Sequence, residues 1–389
     1  MKVALVAESF LPHSNGVTNS LLRVIEHLTE RGDDALVIAP ESKGSEGPAR
    51  YGVATVTRVP AMGFPGYRDV RVNLSGVGKI ATILEDYEPD VVHLASPFTL
   101  GWTAIRAAND LDLPTVAIYQ TEIPSYADRY NVAWSESILW NRVRNIHDEA
   151  TMTLAPSSYA VNQLEALGVE RVRLWPRGVD AKRFDPTKRS SEFRRRFAPN
   201  GEVIVGYVGR LAPEKQVEDL TRLGDIDGIS IVIVGEGPSH GKLAEALPNA
   251  HFTGFLSGED LAEAVASFDV FVHCGELETF CQTIQEAQAS GIPVVAPRRG
   301  GPIDLVSEGE TGFLYAPKNL DEMVEHVRAL VDDDAMRKKF SKQARRSVEE
   351  RTWAKVCDAL IGHYEDAIRD NDIRPAPPAK KKRGKRVAA

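Results

Sequence analysis

The sequence predicts an α/β protein of two doubly wound parallel-sheet domains that face each other across a central cleft. Three observations predict it. Short runs rich in Val and Ile alternate with stretches whose apolar residues recur at helical spacing, as Val17, Leu21, Val24, Ile25 and Leu28 do; near-continuous apolar strands separated by helices read as parallel sheets covered on both faces. There are more such runs than one ordinary sheet accommodates. The pattern also breaks at the polar, charged segment Asp180–Gly201, which contains Pro186 and Pro199, and then begins afresh. A length of 389 residues fits two domains, since a domain usually takes about 150 residues.

The elements follow in order. In the first half, strands are expected at Lys2–Ala7, Ala35–Ala39, Val53–Val59, Asp90–Leu94, Thr115–Tyr119, Met152–Leu154 and Val172–Leu174. In the second half they are expected at Val203–Val208, Ile229–Val234, His251–Thr253, Val270–His273, Pro293–Ala296 and Gly312–Tyr315. The boundary is placed so that residues 1–178 form the first domain and 179–352 the second.

Composition narrows the class. Hydrophobic residues make up 43% and charged residues 26%, as in soluble globular chains, which excludes collagen and disorder for the body of the protein. No apolar run reaches the roughly 18 residues of a spanning helix. The opening Met1–Glu8 meets a carboxylate too early for a signal peptide, so a cytoplasmic location is expected. Three cysteines, Cys274, Cys281 and Cys357, are too few and too odd for a disulfide framework, and no Cys-x-x-Cys or His-x-x-x-His pattern suggests zinc. The net charge is −8, yet residues 371–389 form a tail that holds seven basic residues from Arg374 onward and no acid after that point. Such a tail is expected to be disordered. It reads either as a solvated extension or as a peripheral tether to anionic lipid; nucleic acid, the third anionic partner open to it, is not expected.

Ligands of doubly wound sheets bind beyond the carboxyl ends of the strands, so the residues just past each strand carry the functional reading. After the first strand, Asn15 and Gly16 precede a helix. A glycine there lets backbone N–H groups approach a phosphate at the positive helix end, though alone it reads equally as a turn glycine; the dinucleotide pattern Gly-x-Gly-x-x-Gly is absent. Past Val208, Arg210 and Lys215 can converge on a diphosphate, the first as a planar fork and the second as a point charge. A solvated helix start is the plain alternative, but cations oppose the helix dipole there. Past His273 come Glu278 and Glu286, eight apart, which share a face if the helix starts early enough. A carboxylate can take vicinal hydroxyls. A second glycine turn, Gly300-Gly301-Pro302, follows the next strand.

Together these residues resemble a known family. Gly-Arg-x-x-x-x-Lys at Gly209–Lys215, Glu-x7-Glu at Glu278–Glu286, the Gly300-Gly301-Pro302 turn and Gly309-Glu310-Thr311-Gly312-Phe313 are similar to glycosyltransferase family four, the retaining enzymes of the GT-B fold with two Rossmann-like domains. Pro89–His93 and Arg177-Gly178-Val179-Asp180 with Phe184 look like the same family, and the likeness runs from residue 1 to about 370. Ala7–Pro12, Asn15-Gly16-Val17, Tyr119-Gln120-Thr121 and Gln282-x-x-Gln285-Glu286-Ala287 look most like actinobacterial GDP-mannose-dependent α-mannosyltransferases acting on glycolipids.

The resemblance implies roles. Arg210, Lys215 and Glu278 would carry catalysis, the two cations holding the nucleotide diphosphate with Gly16. Val234, Gly235, Gly237, Phe255 and Leu256 would line the base pocket, and Glu286 would take the ribose hydroxyls. Glu278 with Phe280, Cys281 and Gln282 would orient the donor sugar, while Asn15, Gln120 and Thr121 would face the sugar and acceptor. The first domain would bind a lipid-linked acceptor and the second the nucleotide sugar, expected to be GDP-mannose, with no metal required; a helix over 353–370 would pack back on the first domain. Work on lipid would put the enzyme on the inner face of the plasma membrane, and Trp134–Arg144, with two Trp and two Arg, either adds membrane contacts or packs as an ordinary helix. Two departures stand out. Gln120 occupies a position where relatives often have His, so no titrating base sits there. Arg177 stands where Asn is frequent, which puts the phosphate or acceptor contacts in question.

In a retaining displacement on one face the leaving diphosphate can itself take the acceptor proton, which leaves the protein to position groups and stabilise charge. Asp225-x-Asp227 precedes a strand and is read as a turn rather than a metal motif. Three alternatives remain at this level: a UDP-sugar-dependent lipid glycosyltransferase of glucosyl or sulfoquinovosyl type, a non-catalytic sugar-nucleotide-binding protein, and an α/β hydrolase suggested by Gly237-Pro238-Ser239-His240-Gly241.

Overall fold

The computed structural model describes residues 1–13, 15–42, 47–64, 67–121 and 136–373. The tail from Arg374, the segment 122–135 with Trp134, and Ser14 lie outside the described residues.

The first sheet contains β1 (Lys2–Ala7), β2 (Asp34–Pro40), β3 (Arg50–Tyr51), β4 (Ala54–Val59), β7 (Val91–Ala95), β8 (Thr115–Ile118), β9 (Met152–Ala155) and β10 (Val172–Leu174), with β5 (Ala61–Phe64) and β6 (Tyr67–Asn73) forming a separate antiparallel hairpin. Its order is β10-β9-β8-β7-β1-β2-β4-β3, parallel throughout except at β3. The second sheet contains β11 (Val203–Val208), β12 (Ile229–Val234), β13 (His251–Gly254), β14 (Val270–Val272), β15 (Val294–Pro297) and β16 (Gly312–Tyr315) in the order β13-β12-β11-β14-β15-β16, all parallel. Every strand expected from apolar runs is present. The three unforeseen strands carry no such run. β3 is two residues long, and β6 reads Tyr-Arg-Asp-Val-Arg-Val-Asn, a polar strand whose partner is the hairpin strand β5.

Burial explains the apolar runs. Val3, Ala4, Leu5 and Ala7 of β1 are 0% exposed because helices cover both faces of the sheet. On one face the helix Gly16–Arg31 inserts Leu21, Val24, Ile25 and Leu28 beside the C-terminal helix Trp353–Ile373, whose Cys357, Leu360, Ile361, Tyr364 and Ala367 join the same core. The Tyr364 hydroxyl lies 2.5 Å from Nδ1 of His93 on β7, and Trp175 Nε1 donates to the Val356 carbonyl at 2.9 Å. Burial pushes His93 down to about 3, so it is a neutral core partner of the tyrosine.

In each sheet the strand order reverses beside the first strand of its half: β1 lies between β7 and β2, and β11 between β14 and β12. These reversals open crevices at the carboxyl ends of the strands. The loops after β1, β11 and β14 emerge there.

Candidate active site

A cavity of about 700 Å³ lies between the two halves. Asn15, Gly16, Gln120, Thr121 and Arg177 line it from the first half. Arg210, Lys215, Val234, Gly235, Phe255 and Leu256 line it from the second, with Glu278, Phe280, Cys281 and Gln282. Residues from seven separate segments therefore converge, although they are spread over 268 positions of the chain from Asn15 to Gln282. A neighbouring cavity of about 500 Å³ shares Gly16, Arg177, Phe255, Leu256 and Gln282 and contains Glu286. Gly237 lines neither. A Cβ there would lie 2.3 Å from the Leu211 carbonyl oxygen, so this glycine lets two strand-end loops pack.

The helix carrying Glu286 begins only at Gln282, after Cys281 at φ 75°. This corrects the expectation that Glu278 and Glu286 share a helix face. Glu278 sits on the loop before the helix, and the left-handed turn at Cys281 separates the two acids into adjoining cavities. The loop is held from behind: Gly301 N–H donates to the Glu278 carbonyl at 2.7 Å, and a Cβ at Gly301 would come within 2.1 Å of the Phe280 carbonyl oxygen. The Gly300-Gly301 turn thus supports the Glu278 loop.

Charges are paired within the site. Lys215 Nζ lies 2.5 Å from Glu278 Oε1. Burial pushes the Glu278 carboxyl up, but Lys215, His273 and Arg177 outweigh it and leave its pKa lowered. Arg210 is exposed and makes no ion pair or side-chain hydrogen bond among the described residues. Burial raises Glu286 to about 8 against the pull of Arg183 and Arg177, so it is mostly protonated at neutrality. His273, which sequence reasoning counted only as a strand end, lines the cavity 3.6 Å from Glu278, and burial holds it down to about 4. His273, Glu278 and Cys281 offer three ligand atoms within 4.8 Å of one another. That set could hold a cation, but the Lys215 ammonium already bonds Glu278, and burial pushes the Cys281 thiol up to about 12. The group is organised around lysine.

Hydroxyl and amide side chains join the halves. Thr279 Oγ1 donates to the Gln120 carbonyl at 2.8 Å, Gln282 Nε2 to the Gly178 carbonyl at 3.0 Å and Gln285 Nε2 to the Arg177 carbonyl at 3.0 Å. Asn15 caps the helix Gly16–Arg31 by accepting from Thr18 N–H. Glu8 is engaged elsewhere, accepting from the backbone N–H groups of Phe98, Leu100 and Gly101 at the start of the helix Leu100–Asp110. Ser239 of the hydrolase-like pattern follows β12 by five residues and lines neither cavity. Asp225 and Asp227 lie in the turn before β12.

The description "Glycosyltransferase Family 4" matches residues 14–183 and "Glycosyl transferases group 1" matches residues 188–347. The GDP-mannose-dependent alpha-mannosyltransferase of Mycobacterium tuberculosis is 46% identical over 368 residues, which are 94% of this chain and 96% of that one. The chain belongs to glycosyltransferase family four. At greater distance, the sulfoquinovosyl transferase of Arabidopsis thaliana is 35% identical over 90% of this chain and 71% of its own length. The sucrose-phosphate synthase of Thermosynechococcus elongatus matches the fold with a TM-score of 0.81 at 19% identity, covering 95% of this chain and 99% of that one. This family-four glycosyltransferase therefore has the GT-B fold, and no helix among its described residues is long and apolar enough to cross a membrane.

Proposed function

We propose that the protein is a retaining α-mannosyltransferase that moves mannose from GDP-mannose to a lipid-linked acceptor. The observation that carries this reading is the 46% identity, along 94% of the chain, to an enzyme named for that donor and sugar. The cavity chemistry supports it. Residues 1–178 with the C-terminal helix hold the acceptor, and residues 179–352 hold the donor. Arg210 and Lys215 bind the diphosphate, aided across the cleft by the backbone at Gly16. The base packs among Val234, Gly235, Phe255 and Leu256, with Gly237 shaping the turn behind them; Phe255 is 70% exposed and offers an open ring face. Glu286 takes the ribose hydroxyls from the adjoining cavity. Glu278 and the backbone at Phe280, Cys281 and Gln282 orient the mannose, and Asn15, Gln120 and Thr121 face the acceptor.

In the reaction the bond from mannose C1 to the phosphate oxygen breaks while a bond from C1 to the acceptor oxygen forms on the same face. The acceptor proton passes to the departing phosphate oxygen. Gln120 cannot titrate, and His273, held down to about 4, is a weak base. Catalysis then rests on position and on cations that stabilise the leaving diphosphate. Work on a lipid acceptor implies a peripheral enzyme at the inner membrane face, with the basic tail as its tether.

The test is a donor comparison with purified protein, an actinobacterial lipid extract as acceptor, and GDP-mannose, UDP-glucose or UDP-sulfoquinovose. GDP-mannose should turn over fastest and give an α-linked product by NMR. Faster turnover of a UDP-sugar would favour the second reading, which the 35% identity to a sulfoquinovosyl transferase supports. Nucleotide-sugar binding without turnover of any donor would make the protein a binding module.

A further inference from the structure

Arg177 is 8% exposed and lines both cavities. Its Nη2 donates to Gln120 Oε1 at 2.5 Å, and its Nε, fully buried, has no hydrogen-bond partner among the described residues. Its Nη1 lies 3.3 Å from where a Cβ on Gly16 would stand. The guanidinium therefore abuts the N-terminus of the helix Gly16–Arg31. That 16-residue helix has no acidic residue in its first turn, and its Asn15 cap accepts from Thr18 N–H, leaving the N–H groups of Gly16 and Val17 without that cap. A helix start carries about half a positive charge. The buried arginine thus meets a second positive group, the helix start at the exposed Gly16, with no carboxylate bonded to the arginine among the described residues; Glu278 and Glu286 act on it only through space. Burial lowers Arg177 to about 10, so it remains charged at neutrality.

A buried cation facing a helix N-terminus, with a free Nε–H, is organised for an anion that fits between them. Resting on the nucleotide-sugar reading above, we infer that Arg177 is a third cation on the donor diphosphate, reaching it from the acceptor half while Arg210 and Lys215 reach it from the donor half. The diphosphate would accept from Nε–H or Nη1–H of Arg177 and from the N–H groups of Gly16 and Val17, which offsets the repulsion between the two positive groups. Arg177 also commits the Gln120 amide. With Oε1 accepting from the guanidinium, the Nε2 end remains as the donor toward the cavity. Arg177 sits at the seam between the halves: its carbonyl accepts from Gln285 Nε2 of the second half and its guanidinium faces the first helix.

The experiment compares GDP, GMP and guanosine binding by calorimetry, without acceptor, to full-length wild type, Arg177→Met and Arg177→Lys. Wild type should prefer GDP to guanosine strongly. Arg177→Met should lose about ten- to a hundredfold in GDP affinity, the scale of a hydrogen bond to a charged group, with guanosine affinity unchanged, and Arg177→Lys should restore part of the loss. If Arg177→Met keeps the wild-type preference for GDP, the inference is overturned; if it keeps that preference but raises KM for the acceptor, the anion belongs to the acceptor and the inference is equally overturned. Should the methionine variant not fold, a crystal structure of wild type with GDP decides: a phosphate oxygen within about 3.2 Å of Arg177 Nε or Nη1 supports the assignment and a larger gap refutes it. A wild type that prefers GDP no more than guanosine, and UDP no more than uridine, would bring down the nucleotide-donor reading and this inference together.

Discussion

At the scale of single residues, the two cations past β11 differ in a way their spacing did not reveal. Arg210 is exposed and unpaired among the described residues, whereas Lys215 is bonded to Glu278. Arg210→Ala should therefore lower turnover about a hundredfold or more and leave stability within about 0.5 kcal/mol of wild type. Lys215→Ala should lower turnover similarly and also destabilise the fold by about 2 kcal/mol, because Glu278 stays partly buried without its bonded cation. Steady-state kinetics and urea unfolding of both variants check this; equal stability of the two would contradict the pairing. Glu286 gives a pH signature. Its folded pKa is raised from the ordinary 4.5 to about 8, so between those values the folded protein holds a proton that the unfolded chain has released. Stability should fall as pH rises across that window and level off above it. Glu286→Gln should remove this component of the slope while weakening nucleotide binding, as urea midpoints across the range and GDP titrations would record. That Arg210 and Lys215 line the cleft was legible because both follow an apolar strand, and Glu286, singled out by its spacing from Glu278, lines the adjoining cavity. His273 was not, because a histidine ending a Val-Phe-Val strand looks the same whether it faces a core or a cleft.

At the scale of elements, apolar runs predicted thirteen strands; most are buried on both faces, which leaves little choice but Val, Ile, Leu and Ala, while the edge strands β10 and β13 are only partly covered. The hairpin of β5 and β6 escaped because it belongs to neither sheet. The start of the helix Gln282–Ala289 was also misjudged: Cys281 takes a left-handed conformation that a non-glycine residue adopts only when its surroundings hold it there. Those surroundings include Gly300 and Gly301, which lie against the backbone of Glu278 and Phe280. Gly301→Ala should force this loop out of place, costing about 1–3 kcal/mol of stability and at least tenfold in kcat/KM, although Gly301 touches neither cavity. A differential-scanning melt beside a kinetic assay measures both. Normal kinetics in this variant would mean that the turn does not position the Glu278 loop.

At the scale of the whole molecule, the C-terminal helix closes the chain back onto the first sheet, and a buried His93–Tyr364 contact joins residues 271 positions apart. Residue 373 ends this helix, three beyond the expected end. The basic tail follows directly, outside the described residues. Its seven cations oppose the acidity of the body, and salt screens such attraction beyond about 8 Å at physiological strength. The full chain should therefore sediment with anionic vesicles at low salt and be released at high salt, and deletion of residues 375–389 should abolish sedimentation while turnover on a soluble acceptor analogue persists. Equal sedimentation of the truncated chain would reduce the tail to a solvated extension.

The sequence by itself determined the two-sheet α/β architecture and the loops that meet at the cleft. Both depend on local pattern: an apolar run marks a covered strand, and the strand's carboxyl end marks the ligand edge. Only the tertiary structure decided which neighbours each polar side chain meets. It spent Glu8 on a helix start, put Lys215 on Glu278, moved Glu286 into an adjoining cavity with a raised pKa, and set Arg177 against the first helix beside Gln120. Those outcomes depend on long-range packing between residues tens to hundreds of positions apart, where burial and the nearest charge, rather than residue type or spacing, determine what a titratable group can do.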